Sequence, residues 1–178
     1  MIAMEQLLKR FEYEEITISM ITGECGIARQ GFYKFYSDKD DLCLNMVLYF
    51  AKRKDLITEP CLWQDFVRHE LEAICAHRNF YNIAACAGNY DLIKKILIHS
   101  VYDVYTRIIE VQSGQAIDSD TAFLLQSYCW GGFEMLNNLF LSRKPIEIEH
   151  MISLYTDSMP LKISHYLLNG VFPVEALN

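Results

Sequence analysis

The sequence lacks any apolar run of about 18 residues, the length that a membrane-spanning helix needs, although 52% of its 178 residues are apolar. We therefore predict that no segment crosses a membrane. The alternation of apolar and polar residues that marks half-buried strands is also missing, as are internal repeats. The apolar residues recur at helical spacing instead, and the chain is long enough for one or two compact units. These features predict an all-α protein.

Motifs of catalysis and metal binding are missing as well. The sequence contains no G-x-S-x-G turn and no phosphate-binding loop, and its histidines include no close ligand pair. We predict no enzyme, no cofactor and no metal site. The alternative is a metal site assembled from distant helices.

The cysteines show neither a C-x-x-C pair nor the regular spacing of a disulfide framework. No secretory signal precedes them, so we expect reduced thiols and a cytoplasmic protein. Redox sensing by two of them is the alternative to plain packing in the core. The six residues are Cys25, Cys43, Cys61, Cys75, Cys86 and Cys129.

A surplus of basic residues, the usual mark of a nucleic-acid binder, is missing too, because the net charge is −7. Residues 1–54 hold eight basic and eight acidic side chains, whereas residues 55–178 hold eight and fifteen. The whole negative charge therefore belongs to the C-terminal part. We expect only weak nonspecific binding to DNA.

Residues 17–42, TISMITGECGIARQGFYKFYSDKDDL, have the pattern of two helices joined by a tight turn. Thr17 can cap the first helix, because its hydroxyl can accept from a free backbone N–H one turn on. Gly26 can take the left-handed conformation in which a helix ends, and Ile27 is expected to fill the space between the helices. An apolar stripe follows the first helix at Ile18, Ile21 and Cys25.

The second helix is predicted from about Ala28 to Tyr36. Phe32 and Tyr36 are four residues apart and should both pack inward. The opposite face then presents Arg29, Gln30, Tyr33 and Lys34. Arginine and glutamine bond purine edges in the major groove, and tyrosine and lysine contact phosphates. This face favours a helix that reads DNA.

Ser37 and Asp38 are predicted to cap a third helix that opens with Lys39 and continues to about Lys54. A lysine at a helix start opposes the helix dipole, but it is well placed if a phosphate lies in front of that end. Because the helix joins the DNA-reading segment to the rest of the chain, we expect it to transmit signals between them.

This arrangement resembles the DNA-binding domain of the TetR/AcrR family of transcriptional regulators over ~26 residues, which is a specific signal. The resemblance implies that Tyr33 and Lys39 contact the DNA backbone and that residues 29–34 read bases. We take the DNA-binding set to be Thr17, Arg29, Gln30, Gly31, Tyr33, Lys34 and Lys39. The matching residues are Thr17, Ile18, Ile21, Gly26, Ile27, Arg29, Phe32, Tyr33, Lys34, Phe35, Tyr36, Lys39, Asp41 and Leu42.

Three departures from the family pattern lie on the DNA side. Ala28 replaces the usual serine, which removes a helix cap worth ~1 kcal/mol. Gly31 replaces a threonine, which removes a contact and weakens the helix by up to ~1 kcal/mol. Phe35 stands where the family has tyrosine or histidine and offers no donor to a phosphate. A helix-turn-helix that has lost DNA binding is therefore an alternative.

Helical patterns cover most of the remaining chain. Further helices are predicted at 62–77, 80–87, 91–111 and 119–142, with Asn79 and Asn89 as caps of the middle two and Asp118-Ser119 as the cap of the last. A last pattern, with a kink or restart at Pro160, ends near Asn169-Gly170. An amphipathic first helix is traced by Ile2, Met4, Leu7, Leu8 and Phe11. We predict a three-helix helix-turn-helix domain at 1–45 and a helical effector-binding and dimerisation domain at 46–178.

Residues 121–141 are apolar almost all round, unlike a surface helix of a monomer. The pair Gly131-Gly132 is costly in mid-helix unless another backbone comes close. In the TetR family the last two helices pair with their symmetry mates, and the resemblance implies the same for 119–142 and 146–169. Two-fold symmetry would also place two reading helices on two half-sites, so we predict a homodimer.

The middle helices contain many aromatic side chains with polar tips, which often line ligand pockets. We expect a largely apolar cavity there, taking an uncharged or weakly polar organic effector. The expected ligand-binding residues are His99, Tyr102, Tyr105, Tyr128 and Trp130. The alternative for each of them is a place in an ordinary core.

The sequence thus predicts a dimeric transcriptional repressor that binds a double-stranded DNA operator and leaves it when a small effector binds. The segment CGIARQGFYKFYSDKDDL is also similar to a TetR subgroup described as dihydroxyacetone-kinase regulator-like. That similarity supports an alternative in which a protein partner controls the regulator, which then could be an activator. The degenerate helix-turn-helix without DNA binding is the third hypothesis.

Overall fold

The computed structural model describes residues 2–52, 59–78, 81, 90–142 and 144–172. Helices dominate this part of the chain, as predicted. In chain order the elements are α1 (Ile2–Leu8), a 3-10 turn (Tyr13–Glu15), α2 (Ile18–Cys25), α3 (Arg29–Phe32), α4 (Lys39–Lys52), β1 (Cys61–Leu62), α5 (Trp63–Ala76), α6 (Tyr90–Ser113), α7 (Ser119–Leu141), α8 (Ile148–Asp157), α9 (Leu161–Leu167) and β2 (Val171–Phe172).

The turn between α2 and α3 has the predicted chemistry. The Thr17 hydroxyl accepts from the Met20 amide at 3.2 Å and so caps α2. Gly26 ends α2 with φ 66° and ψ 28°, the left-handed region in which glycine meets no steric penalty. Ala28 begins α3 without a side-chain cap. The helix is also shorter than the predicted 28–36, because after Phe32 the chain continues as turns.

Several apolar residues of the N-terminal segment lie outside the core, contrary to prediction. Cys25 is exposed at the end of α2, and 48% of the Ile27 surface is exposed. The physical reason is that α2 ends at Cys25 and the chain reverses at Gly26, so both side chains leave the buried stripe at the turn. Phe11 is exposed because α1 ends at Leu8, before the predicted stripe is complete.

The first core joins α1–α4 to α6. Its centre is aliphatic, and Ile93 of α6 is buried among residues from the first 47 positions. Glu5 of α1 adds a polar link, since its Oε1 lies 3.1 Å from His77 Nδ1 at the end of α5. The buried members are Met4, Leu7, Ile16, Ile21, Phe32, Leu42, Cys43, Met46, Val47 and Ile93. The core therefore continues past the predicted domain boundary at residue 45.

The second core lies between α5–α9 and is rich in aromatic residues. Trp63, Phe66, Tyr105 and Phe172 are buried in it. β1 and β2 pair antiparallel at its edge, with Cys61 opposite Phe172 and Leu62 opposite Val171. The expectation of no strand is wrong at this point, because two residues per strand are too few to show an alternating pattern.

The boundaries of the C-terminal helices agree with those predicted from caps and proline. Asp118 caps α7 by accepting from the Thr121 amide at 2.7 Å. Lys162 of α9 donates to the same carboxylate at 2.8 Å, and these bonds hold the pKa of Asp118 well below its usual range. α8 ends at Asp157 and α9 restarts after Pro160, as expected. The predicted helix at 80–87 and its neighbouring caps Asn79 and Asn89 lie outside the described residues.

Candidate nucleic-acid interface

The face of α3 that was predicted to read DNA is exposed. Arg29, Gln30, Tyr33 and Lys34 all lie at the surface. Arg29 Nη2 donates to the Tyr33 hydroxyl at 3.3 Å, so the two side chains lie side by side one turn apart. Arginine and glutamine in this position can donate to base edges, whereas tyrosine and lysine can reach phosphates. Four of the predicted DNA-binding residues are therefore exposed, two on α3 and two directly after it.

Two aromatic contacts hold this short helix in place. The Phe32 ring is buried, and its centroid lies 5.5 Å from that of Tyr36 and 5.6 Å from that of Tyr33. Phe32 thus anchors α3 to the first core from behind, and the edge of its ring supports Tyr33 in front. Such packing orients the exposed side chains of α3 and of the turn after it without the need for a long helix.

Lys39 is turned toward the protein. Its Nζ donates to the carbonyl oxygens of Tyr13 at 2.7 Å and Ile16 at 3.2 Å, and it lies 4.1 Å from the centroid of the Tyr13 ring. An ammonium group has three donors, and these two carbonyls use two of them. The contacts provide a donor to two carbonyl oxygens at the 3-10 turn before α2, and they join this turn to the start of α4.

Tyr13 completes this connection. Its hydroxyl donates to the Asp40 carboxylate. Burial, and then the bond to Asp40, raises the pKa of Tyr13 far above its usual range. Beneath them, burial raises the pKa of the Cys43 thiol to about 11. Tyr13, Lys39 and Asp40 therefore form a clamp, which we call the Tyr13 clamp, between the segment that precedes α2 and the N-terminus of α4.

The remaining predicted DNA-binding residues differ in their surroundings. Thr17 is exposed, and its hydroxyl is engaged as the α2 cap. Gly31 is half-buried, and a Cβ added to it would meet only Ile27, at 3.9 Å, among the described residues. Near the turn, Arg10 pairs with Glu24 at 2.6 Å, which places a positive charge beside that carboxylate.

Two of the predicted ligand-binding residues meet in the second core. The Tyr105 and Tyr128 ring centroids are 6.5 Å apart. The Tyr105 hydroxyl accepts from Trp63 Nε1 at 3.1 Å, and the Tyr128 hydroxyl donates to the Tyr155 carbonyl at 2.9 Å. Burial raises the pKa of each of these two phenols far above its usual range. The polar tips expected to meet an effector thus have partners within the chain.

Of the other predicted ligand-binding residues, two pack against the second core and one lies at the surface. The Trp130 ring is half-buried against that core with the Lys94 ammonium 5.5 Å from its centroid, and Lys94 pairs with Glu134. Tyr102 is also half-buried against it. His99 is exposed, and its Nδ1 lies 2.8 Å from the Lys95 carbonyl oxygen on the same helix. Four of the five predicted residues therefore belong to the second core or adjoin it.

Among the residues that the structure describes, no group of three or more His, Cys, Asp and Glu side chains could hold a metal ion. Among the helices so described, none is long and apolar enough to span a membrane.

Comparison with known proteins rests on structure. No family model matches the chain, and no curated protein matches its sequence. A solved structure of "Dihydroxyacetone kinase operon activator DhaS" is similar, with a TM-score of 0.70 and 16% identity, over 93% of this chain and 94% of that chain. The chain shares the helical fold of that structure. The all-helical architecture expected from the sequence is thereby confirmed.

Some residues of the interface were not visible to sequence reasoning. Tyr13 lies 26 positions before Lys39, and no local pattern links the two. Phe35 was noted only for the donor it lacks, although 76% of its surface is exposed beside the reading face. The sequence did contain a signal for Phe35, because this aromatic residue lies outside the inward spacing of Phe32 and Tyr36.

Proposed function

We propose that the chain is a DNA-binding transcription regulator in which α3 enters the major groove. Arg29 and Gln30 contact base edges, whereas Tyr33 and Lys34 contact the backbone. The observation that supports this most is the exposed polar face of α3, held from behind by Phe32. The TetR-like fold supports the same proposal.

We further propose a homodimer formed by α7 with α8 and α9. Gly132 is explained within the chain, since its carbonyl accepts from the Tyr155 hydroxyl at 3.1 Å and a Cβ there would lie 3.1 Å from that ring. Gly131 is different: it is exposed, and a Cβ there would meet no described atom within 4 Å. Exposed apolar residues extend the surface at Phe123, Met135, Leu154 and Leu161. A second backbone crossing at Gly131 would account for both features.

For regulation we propose a small organic effector that binds in the second core and releases a repressor from its operator. The concentration of aromatic residues between α5, α6 and α7 supports this. Control by a protein partner, with the chain acting as an activator, is the second candidate. It is favoured by the internal hydrogen bonds of Tyr105 and Tyr128 and by the name of the similar structure, which calls that protein an activator.

Selection of duplexes from a random library by the purified chain tests DNA binding. We expect a two-fold symmetric sequence to be enriched, and Arg29→Ala or Gln30→Ala to alter which bases are preferred. The matched control is Gln115→Ala, an exposed residue between α6 and α7. Failure to enrich any sequence would support the degenerate helix-turn-helix instead.

Light scattering tests the dimer. The wild type should have twice the monomer mass at micromolar concentration, and Gly131→Leu should yield monomer or aggregate because its side chain would separate the facing backbones. Gln115→Leu adds the same side chain outside the proposed interface and should leave the mass unchanged. A monomeric wild type would contradict the dimer without affecting the fold.

A further inference from the structure

Two large apolar side chains are exposed on either side of α3 in the sequence, and we call them, together with the Gly31 between them, the apolar stripe. Ile27 and Phe35 have 48% and 76% of their surfaces exposed, and Gly31 lies between them in sequence at intervals of four. A Cβ on Gly31 would lie 3.9 Å from both Cβ and Cδ1 of Ile27, so these two positions adjoin. After α3 the chain continues in turns, and the Phe35 amide donates to the Phe32 carbonyl at 3.0 Å, which keeps Phe35 within one turn of the helix end.

The charges around the stripe point to one occupant. Residues 26–36 include Arg29 and Lys34 and no acidic residue. Glu24, just before the turn, is paired with Arg10 at 2.6 Å. An apolar stripe with two basic side chains in the same segment suits a polyanion with apolar groups on its surface. The major groove of DNA has that chemistry, because each thymine presents a C5-methyl group there.

Resting on the proposed DNA binding, we infer that Ile27 and Phe35 read thymine methyl groups in the operator. Gly31 contributes by leaving space between the two side chains, so that a methyl group can approach the backbone of α3. Arg29 and Gln30 then supply hydrogen bonds to neighbouring purines. Sequence preference thus arises in part from apolar contacts, and the operator half-site contains thymine where the stripe meets the groove.

The test replaces thymine by uracil in a duplex selected by the full chain. Uracil keeps every hydrogen-bonding group of thymine and lacks only the methyl. At each contacted position the affinity should fall about fourfold, the value of one buried methylene-sized group. At positions outside the stripe the affinity should not change.

Variants identify which side chain contacts the methyl group. Phe35→Ala should lower affinity for the thymine duplex and become insensitive to uracil at the position it contacts, and Ile27→Ala should do the same at another position. Val111→Ala is the matched control, since it shortens an exposed apolar side chain on α6. Circular dichroism of each variant verifies that the fold is retained.

Two results would overturn the inference and leave the proposed function standing. In the first, wild-type affinity is unchanged by uracil at every position although a specific duplex is bound. In the second, Phe35→Ala and Ile27→Ala both retain the uracil sensitivity of the wild type. If no duplex is selected at all, the proposed DNA binding fails first and the inference fails with it.

Discussion

The two cores of this molecule differ in the chemistry that fills them. The first, around α1–α4, is almost wholly aliphatic, whereas the second, around α5–α9, contains buried tryptophan and tyrosine with their polar tips hydrogen-bonded. Aliphatic packing is non-directional and tolerates small adjustments. Buried phenols and indoles require partners at set distances, because an unpaired polar group in a core is costly. The first core is therefore specified by volume, and the second also by hydrogen-bond geometry.

The two cores also meet. Ile93 of α6, a helix that otherwise packs into the second core, is buried in the first, and α4 lies against α6. A shift of α6 would therefore act on α4 directly, and through the Tyr13 clamp on the segment that precedes α2. This contact supports our proposal that α4 transmits the state of the second core to the candidate DNA-binding surface.

The largest effect should come from the residue that joins the cores. Ile93→Ala should lower the free energy of unfolding by about 2–5 kcal/mol, because it leaves a cavity among buried aliphatic side chains. Chemical denaturation measures the change. Leu92→Ala, next in the chain but exposed, should change it by less than about 0.5 kcal/mol. Equal effects of the two variants would mean that the cores are not joined at Ile93.

The next effect concerns the Tyr13 clamp. Lys39→Met keeps the aliphatic stem but removes the ammonium from two carbonyls, which should lower the free energy of unfolding by about 1.5–3 kcal/mol. DNA affinity should fall while the slope of log affinity against log salt stays unchanged, because Lys39 bonds protein carbonyls. Lys34→Met, at an exposed position, should reduce that slope by about 1. A reduced slope for Lys39→Met would instead assign Lys39 to a phosphate.

Removal of a tyrosine hydroxyl from the second core should have a comparable or smaller effect on the free energy of unfolding. Tyr105→Phe leaves the buried Trp63 Nε1 without its acceptor and should lower the free energy of unfolding by about 1–3 kcal/mol. Tyr128→Phe is the matched variant and should cost less, because the Tyr155 carbonyl still accepts from Ser158 at 3.2 Å. Thermal unfolding of both variants decides this. If Tyr128→Phe cost more, the Tyr128 hydroxyl would have the larger structural role.

The smallest expected effect is a pH dependence of stability that comes from one buried thiol in each core. Burial raises the pKa of Cys43 to about 11 and that of Cys129 to about 12. The folded state keeps a proton that the unfolded state releases, so stability should be fully present below pH 9 and decrease as the pH rises toward 11. Denaturation at a series of pH values measures this. Cys43→Ala should roughly halve the decrease between pH 9 and 11 and leave the part that Cys129 contributes up to about pH 12.

Helix positions could be predicted for most of the described chain because their signals are local. The cap at Thr17, the left-handed Gly26, the cap at Asp118 and the restart at Pro160 each involve residues within a few positions of one another. The same holds for the exposed face of α3, whose polar members follow from the inward spacing of Phe32 and Tyr36. Failures at Cys25, Ile27 and Phe11 occurred where a helix ended earlier than its apolar stripe.

The sequence by itself determined the all-helical class, the two helices joined by a tight turn and the exposed side chains of α3, since helix caps, turns and apolar spacing act over one or two turns. Only the tertiary structure decided that Lys39 turns inward to Tyr13 and that Ile93 belongs to the first core. It also decided that Trp63 donates to Tyr105, and Tyr128 to the Tyr155 carbonyl, in the second core. Each of these contacts joins residues at least 26 positions apart. Contacts at such separations depend on how the helices pack, and the local spacing of residues does not determine that packing.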